Sequence, residues 1–201
     1  MLASERKALL RLSVRSRWRP EGPHGEQALR SLLAQQLFLS AYPPAPFRKV
    51  ALYAAIRGEV GTDRIRDGYL EAGATLYYPR ADADGTLSFF PHPRGGEWEL
   101  GRFGIREPRV DPGAEGVKDG FDLVLVPGVA FDPAGRRLGK GYGYFDRFLA
   151  GLGDDTETVG LAFSWQLVPE VPVEEWDVPV DTVVTDEGIL RARRMTRPAR
   201  T

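Results

Sequence analysis

Between Val126 and Phe148 the chain reads Val-Pro-Gly-Val-Ala-Phe-Asp-Pro-Ala-Gly-Arg-Arg-Leu-Gly-Lys-Gly-Tyr-Gly-Tyr-Phe-Asp-Arg-Phe, a segment that leaves an apolar strand and enters a helix. Gly139, Gly141 and Gly143 alternate, so the backbone amides around them can turn toward one anion with no side chain in the way. Arg137 and Lys140 add mobile positive charge. Together these residues fit a phosphate cradle, although a Gly-rich turn with a nearby Lys also serves as a plain connection. The loop is neither a P-loop, in which Gly-Lys precedes Ser or Thr, nor the dinucleotide pattern Gly-x-Gly-x-x-Gly. An ordinary kinase or dehydrogenase is disfavoured.

Carboxylates stand where they could serve the same anion. Asp146 lies within one helical turn of the loop, where it could hold Mg²⁺ against phosphate oxygens or simply stabilise a helix N-terminus. Glu174, Glu175, Asp177 and Asp181 form a later acidic group that should be mostly solvated. Magnesium takes only one or two protein carboxylates, so one member of that group would suffice. At the N-terminus, Lys7, Arg11 and Arg15 fall at i, i+4 and i+8 on a helix predicted over Ser4 to Trp18, beside a stripe of Leu10, Val14 and Trp18. That stripe either offers cations to a ligand or is a solvated basic face.

Composition narrows the classes these residues could serve. The 201 residues carry a net charge of −1 and no cysteine, which removes disulfides, iron–sulfur clusters and thiolate nucleophiles, and the two histidines leave little for a His-built metal site. The charge is unevenly spread: residues 1–20 hold six basic residues against Glu5 and residues 191–201 hold five against none, so each end carries +5 and the middle −11. An acidic body repels phosphate backbones, which argues against a uniformly basic nucleic-acid surface. Only four lysines stand beside 23 arginines, so a Lys inside the glycine loop stands out. No apolar leader and no run near the roughly 18 apolar residues of a membrane span are present. The expectation is a cytoplasmic, soluble protein.

The elements that must position these residues follow from periodicity. A second helix is predicted over His24 to Ser40, on Leu29, Leu32, Leu33 and Leu37. Val50 to Ala55 reads as a buried strand, Thr62 as the N-cap of a helix carrying Ile65, Tyr69 and Leu70 and closed by Gly73, and Thr75 to Tyr78 as the next strand. This is a βαβ unit, which favours a parallel sheet with ligands at the carboxyl ends of its strands. Thr86 to Pro108 reads as an excursion over the sheet with strand-like pieces at Leu87 to Phe90 and Trp98 to Leu100. Asp122 to Val126 is the clearest strand. Tyr144 to Leu152 reads as a helix, and Thr158 to Phe163 and Asp181 to Thr185 as strands, before a tail after Leu190 that is frayed or only loosely docked.

These residues resemble the 5-formyltetrahydrofolate cyclo-ligases, also called methenyltetrahydrofolate synthetases. The strand to Val126, Pro127-Gly128, Phe131-Asp132, Arg137-Leu138-Gly139, Gly141, Gly143-Tyr144 and Asp146 match the family signature in order and spacing. Lys7 with Arg11, Glu59 with Thr62, Tyr78-Pro79-Arg80 and Phe103-Gly104-Ile105-Arg106-Glu107-Pro108 are similar to further family segments, so the likeness runs from about residue 5 to 187. Two departures are Tyr142, where the family often has a basic residue or Gly, and Phe145 in place of the first-turn Tyr.

The resemblance implies an enzyme that uses ATP and Mg²⁺ to convert 5-formyltetrahydrofolate to 5,10-methenyltetrahydrofolate, ADP and phosphate through a phosphorylated formyl group. It implies Lys7, Arg11, Arg137, Gly139, Lys140, Gly141, Tyr142, Gly143, Tyr144 and Phe145 at the ATP. Asp146 and Asp177 would hold the metal, and Glu59, Phe103 and Tyr144 would face the folate. Lys140 and Tyr144 would be catalytic. The expected fold is one domain over residues 1–201, a three-layer α/β/α sandwich with a mostly parallel, Rossmann-like sheet, its core at about 5–190 and a basic tail at 191–201. A monomer with no nucleic-acid or membrane partner is expected. Two other readings are a diverged relative that binds nucleotide or folate without turnover, and a nucleic-acid binder using the basic ends.

Overall fold

The computed structural model describes residues 2–17, 25–45 and 47–192. Trp18 of the N-terminal stripe, His24 at the start of the second predicted helix and the tail from residue 193 lie outside the described residues. In chain order the elements are α1 (Ala3–Arg17), α2 (Glu26–Ala41), β1 (Lys49–Ala51), α3 (Asp63–Glu71), β2 (Thr75–Ala81), β3 (Leu87–Pro91), β4 (Trp98–Leu100), β5 (Arg106–Pro108), β6 (Leu123–Val126), β7 (Ala130–Phe131), β8 (Arg137–Leu138), α4 (Tyr144–Ala150), β9 (Glu157–Leu161), β10 (Thr182–Val184) and β11 (Ile189–Arg191).

Seven strands form one sheet in the order β11-β10-β9-β6-β1-β2-β3. The pairs from β10 through β2 are parallel, and β3 and β11 close the two edges antiparallel. Successive side chains of a strand point to opposite faces, and the two cores divide accordingly. Val50, Leu52, Leu123 and Leu125 pack beneath Phe38 of α2 and Ile65 and Tyr69 of α3, whereas Ala51, Val124 and Val126 pack with Phe148 and Leu149 of α4 on the other side. The three-layer α/β/α expectation with a mostly parallel sheet therefore describes the molecule. Helix α1 lies apart from these layers: its Val14 packs in a third cluster with Ala130, Leu138, Val168 and Val171.

Several local expectations change. The strand read over Val50 to Ala55 pairs only over Lys49–Ala51, because after Leu52 the chain curls back and the Tyr53 hydroxyl donates to the Val60 carbonyl (2.8 Å). Thr62 occupies the N-cap position of α3 as expected, but its side chain makes no capping hydrogen bond. Its hydroxyl donates to the Tyr53 carbonyl (3.1 Å), and Gln35 of α2 accepts the Arg64 N–H instead (2.9 Å). Part of the segment read as an excursion belongs to the sheet: Leu87–Pro91 pairs with Tyr77–Ala81, and only β4 and β5 form a separate hairpin. At the start of the tail read as frayed or loosely docked, Arg191 still pairs in β11 and the Ala192 N–H donates to Asp181 O (2.9 Å).

Candidate active site

Strands β1 and β6 lie side by side, yet the chain leaves them for opposite faces, through α3 after β1 and through α4 after β6. The sheet opens a crevice at the carboxyl ends of two such strands, which is where ligands collect in open α/β sheets. A cavity of about 390 Å³ occupies that position. Its wall takes Tyr53, Ile56 and Glu59 from beyond β1, Pro127 and Gly128 from beyond β6, Phe103 and Ile105 from the β4–β5 turn, and Gly139, Lys140 and Tyr142 to Asp146 from the glycine loop.

The loop is held at both ends. Gly141 and Gly143 have φ of 108° and 70°, a backbone region that side-chain-bearing residues avoid. At Gly143 a Cβ would also lie 2.8 Å from Arg147 Nη1. Arg147, one turn into α4, donates to the Tyr142 carbonyl (3.0 Å) and, through Nε, to the Gly85 carbonyl (2.9 Å). From the other side, Arg11 Nε donates to the Gly139 carbonyl (2.9 Å). Upstream, the buried Asp132 carboxylate accepts the N–H groups of Ala134, Arg136 and Val171 and so fixes the β7–β8 turn.

Three of the four cations expected at phosphate are paired with an acid, and the fourth, Arg11, holds the Gly139 carbonyl. Arg137, almost fully buried, donates to Asp146 (2.6 Å), and its buried Nε has no partner among the described residues. Lys140 donates to Glu59 Oε1 (2.7 Å), while Glu59 Oε2 accepts the Ile56 N–H (3.1 Å). Lys7, also buried, donates to Glu174 (2.6 Å) and Asp177 (2.5 Å). The acidic group is thus only partly solvated, because Glu174 and Asp177 hold Lys7 and Asp181 accepts the Thr158 N–H and hydroxyl.

Not all expected site residues meet in the cavity. Glu59, Phe103, Arg137, Gly139, Lys140, Tyr142, Gly143, Tyr144, Phe145 and Asp146 line it, whereas Lys7, Arg11, Gly141 and Asp177 do not. Arg11 links the two groups. Burial and then the Arg15 charge pull its pKa below the usual value, against the opposing fields of Asp177, Glu174 and Asp146. The Tyr53 phenol at the wall is held neutral, pushed up by burial and then by the Glu59 charge. Aromatic rings complete the cavity: Phe103 lies 5.1 Å from Tyr142 and 5.6 Å, edge-on, from Tyr144.

For a divalent ion, the described residues contain no group of three or more His, Cys, Asp or Glu side chains. Magnesium completes its octahedron with water and phosphate oxygens, so one or two carboxylates beside a bound nucleotide fit it. Asp146, on the cavity wall, meets that requirement. Asp177 does not line the cavity; its carboxylate accepts from Lys7 and from the Glu174 N–H.

Residues 3–186 match the 5-formyltetrahydrofolate cyclo-ligase family. The chain belongs to that family. It is 34% identical over 180 residues to the 5-formyltetrahydrofolate cyclo-ligase of Escherichia coli K12, covering 88% of this chain and 98% of that one. It is 34% identical over 157 residues to the enzyme of Mycolicibacterium smegmatis, covering 73% and 78%. In structure it is similar to the 5,10-methenyltetrahydrofolate synthetase of Aquifex aeolicus, with a TM-score of 0.77, 31% identity and 96% of each chain covered. The protein is therefore an enzyme of the cyclo-ligase family.

Sequence reasoning about this cyclo-ligase missed Arg147 and the cavity contacts of Arg15 and Ile56, and it gave Asp132 a place in the signature but no role. Arg147 carries no motif of its own. Its signal is its place one turn after the loop whose Tyr142 carbonyl it binds.

Proposed function

We propose that the cavity converts 5-formyltetrahydrofolate to 5,10-methenyltetrahydrofolate at the expense of ATP. The observation that carries this reading is the juxtaposition of a glycine loop with Arg137 and Lys140, an acid for the folate at Glu59, and a ring wall at Phe103 and Tyr144, all around one cavity. In this reading Arg137 and Lys140 exchange their carboxylate partners for phosphate oxygens. The amides around Gly139, Gly141 and Gly143, with Arg11 behind them, complete the anion site. Asp146, assisted by Asp177, then holds Mg²⁺, which when bound neutralises phosphate charge. Lys7 supports this arrangement by ordering Glu174 and Asp177, and Phe145 by lying beneath the Arg137 guanidinium (5.8 Å).

Glu59, released from Lys140, accepts hydrogen bonds from the donor edge of the pterin. The formyl oxygen takes the γ-phosphoryl group and ADP leaves; N10 then attacks the formyl carbon and loses its proton, and phosphate departs with the oxygen. Such a reaction asks the protein for positioning and charge neutralisation more than for covalent chemistry. We place the enzyme as a cytoplasmic monomer; no described helix is long and apolar enough to cross a membrane. The test is the ultraviolet absorbance of methenyltetrahydrofolate, followed on mixing the protein with 5-formyltetrahydrofolate and Mg·ATP.

A further inference from the structure

The surroundings of Tyr142, between the two left-handed glycines of the loop, divide its backbone from its ring. The backbone belongs to the anion side: its carbonyl accepts from Arg147, and Gly141 and Gly143 flank it in left-handed conformations. The ring turns away to the β4–β5 hairpin, where it lies 5.1 Å from Phe103 at 34° between planes. That hairpin turn is tight. The Gly101 N–H donates to Ile105 O (2.9 Å) and the Gly104 N–H to Gly101 O (3.0 Å), so Phe103 is presented at its tip.

The two rings remain open, Tyr142 at 62% exposure and Phe103 at 40%, although both line the cavity. Glu59, in contrast, is largely covered, with its side chain 9% exposed. Aromatic rings left open on a cavity wall are surface for a ligand to cover. Glu59 and this aromatic pair line the same cavity, and in a folate the p-aminobenzoyl ring is the next rigid group after the pterin.

We propose that Tyr142 and Phe103 form a clasp that takes the p-aminobenzoyl ring of the substrate, so that Tyr142 determines folate affinity while its loop holds nucleotide. This deepens the proposed function and rests on it. Offset or edge-on stacking of a flat ring against two aromatic side chains makes Tyr142→Ala raise the KM for 5-formyltetrahydrofolate about tenfold. The KM for ATP stays within about twofold, a split that general loosening of the loop would not produce. Tyr142→Phe, which keeps the ring, restores the folate KM toward the unsubstituted value.

The experiment measures both KM values for the unsubstituted protein, Tyr142→Ala, Tyr142→Phe and Phe103→Ala, with p-aminobenzoylglutamate as a competing fragment. The clasp predicts competitive inhibition of the unsubstituted protein that is lost in Tyr142→Ala and in Phe103→Ala. Turnover with an unchanged folate KM in Tyr142→Ala, equal rises in both KM values, or no rescue by Tyr142→Phe overturns the clasp and leaves the cyclo-ligase reading standing. If turnover is absent, calorimetric binding of 5-formyltetrahydrofolate replaces KM in the same comparison. Absence of both turnover and folate binding overturns clasp and reading together.

Discussion

Lys140 Nζ donates to Glu59 Oε1 at 2.7 Å across 81 residues of sequence, joining a cation of the glycine loop to an acid that follows β1. The two residues are proposed for different substrates, phosphate for Lys140 and pterin for Glu59, and here each neutralises the other at the cavity wall. Removing Lys140 deletes a donor aimed at charge that develops during phosphoryl transfer. Such a loss costs about two to three orders of magnitude in kcat. Lys140→Ala should show that fall, and Glu59→Gln should act mainly on the folate KM; steady-state kinetics of both variants checks the division of labour.

Asp146 serves Arg137 in the structure and magnesium in the proposed reaction. Asp146→Asn keeps a hydrogen-bond acceptor but leaves the buried guanidinium without its counter-charge. Weakening that charge-assisted bond should cost about 1–3 kcal/mol in denaturant unfolding, and the magnesium concentration for half-maximal rate should rise severalfold. Lost stability with an unchanged magnesium dependence would make Asp146 a partner for Arg137 and nothing more.

Lys7 anchors α1 to the 174–177 segment, and Arg11, one turn later, reaches the Gly139 carbonyl. Lys7→Met leaves Glu174 and Asp177 facing each other around an apolar side chain. The break in a mostly buried ion-pair cluster predicts a loss of about 2–4 kcal/mol. Because α1 also positions Arg11, the KM for ATP should rise with it; an unaltered ATP KM in a folded variant would detach α1 from the nucleotide site.

How much of this was legible in the sequence depends on the range of the interaction. Strand β6 declares itself as four consecutive apolar residues stopped by Pro127-Gly128, and the glycine loop declares itself by spacing, because both are local patterns. The partners of Arg11, Lys7 and Lys140 do not, since their contacts span 128, 167 and 81 residues and no local pattern encodes them. Strand β3 was misplaced although Asp84-Gly85, with Gly85 at φ 86°, is a hairpin signal between two apolar runs. Phe103 and Tyr142 were each readable as aromatic candidates, but their contact depends on how a separate hairpin leans over the sheet.

His92 ties that hairpin to pH. Its ring lies 3.9 Å from Trp98 of β4, and Tyr78 meets both edge-on. Burial, then the Arg66 charge, lowers its pKa from the ordinary value of about 6.5. The folded state thus favours the neutral ring, so its contribution to stability is present above about pH 6.5 and is lost as pH falls through the depressed folded value. Thermal unfolding between about pH 7.5 and 5 should show a shallower acid-side decline for His92→Gln than for the unsubstituted protein. Identical slopes would remove His92 from the account.

The most direct measurement mixes the purified protein with 5-formyltetrahydrofolate and Mg·ATP and follows the ultraviolet absorbance of 5,10-methenyltetrahydrofolate beside the release of ADP. The account predicts that the two appear together in equal amounts, and that both depend on ATP. Folded protein that forms no methenyltetrahydrofolate at any Mg·ATP concentration, or forms it without ADP, would contradict it.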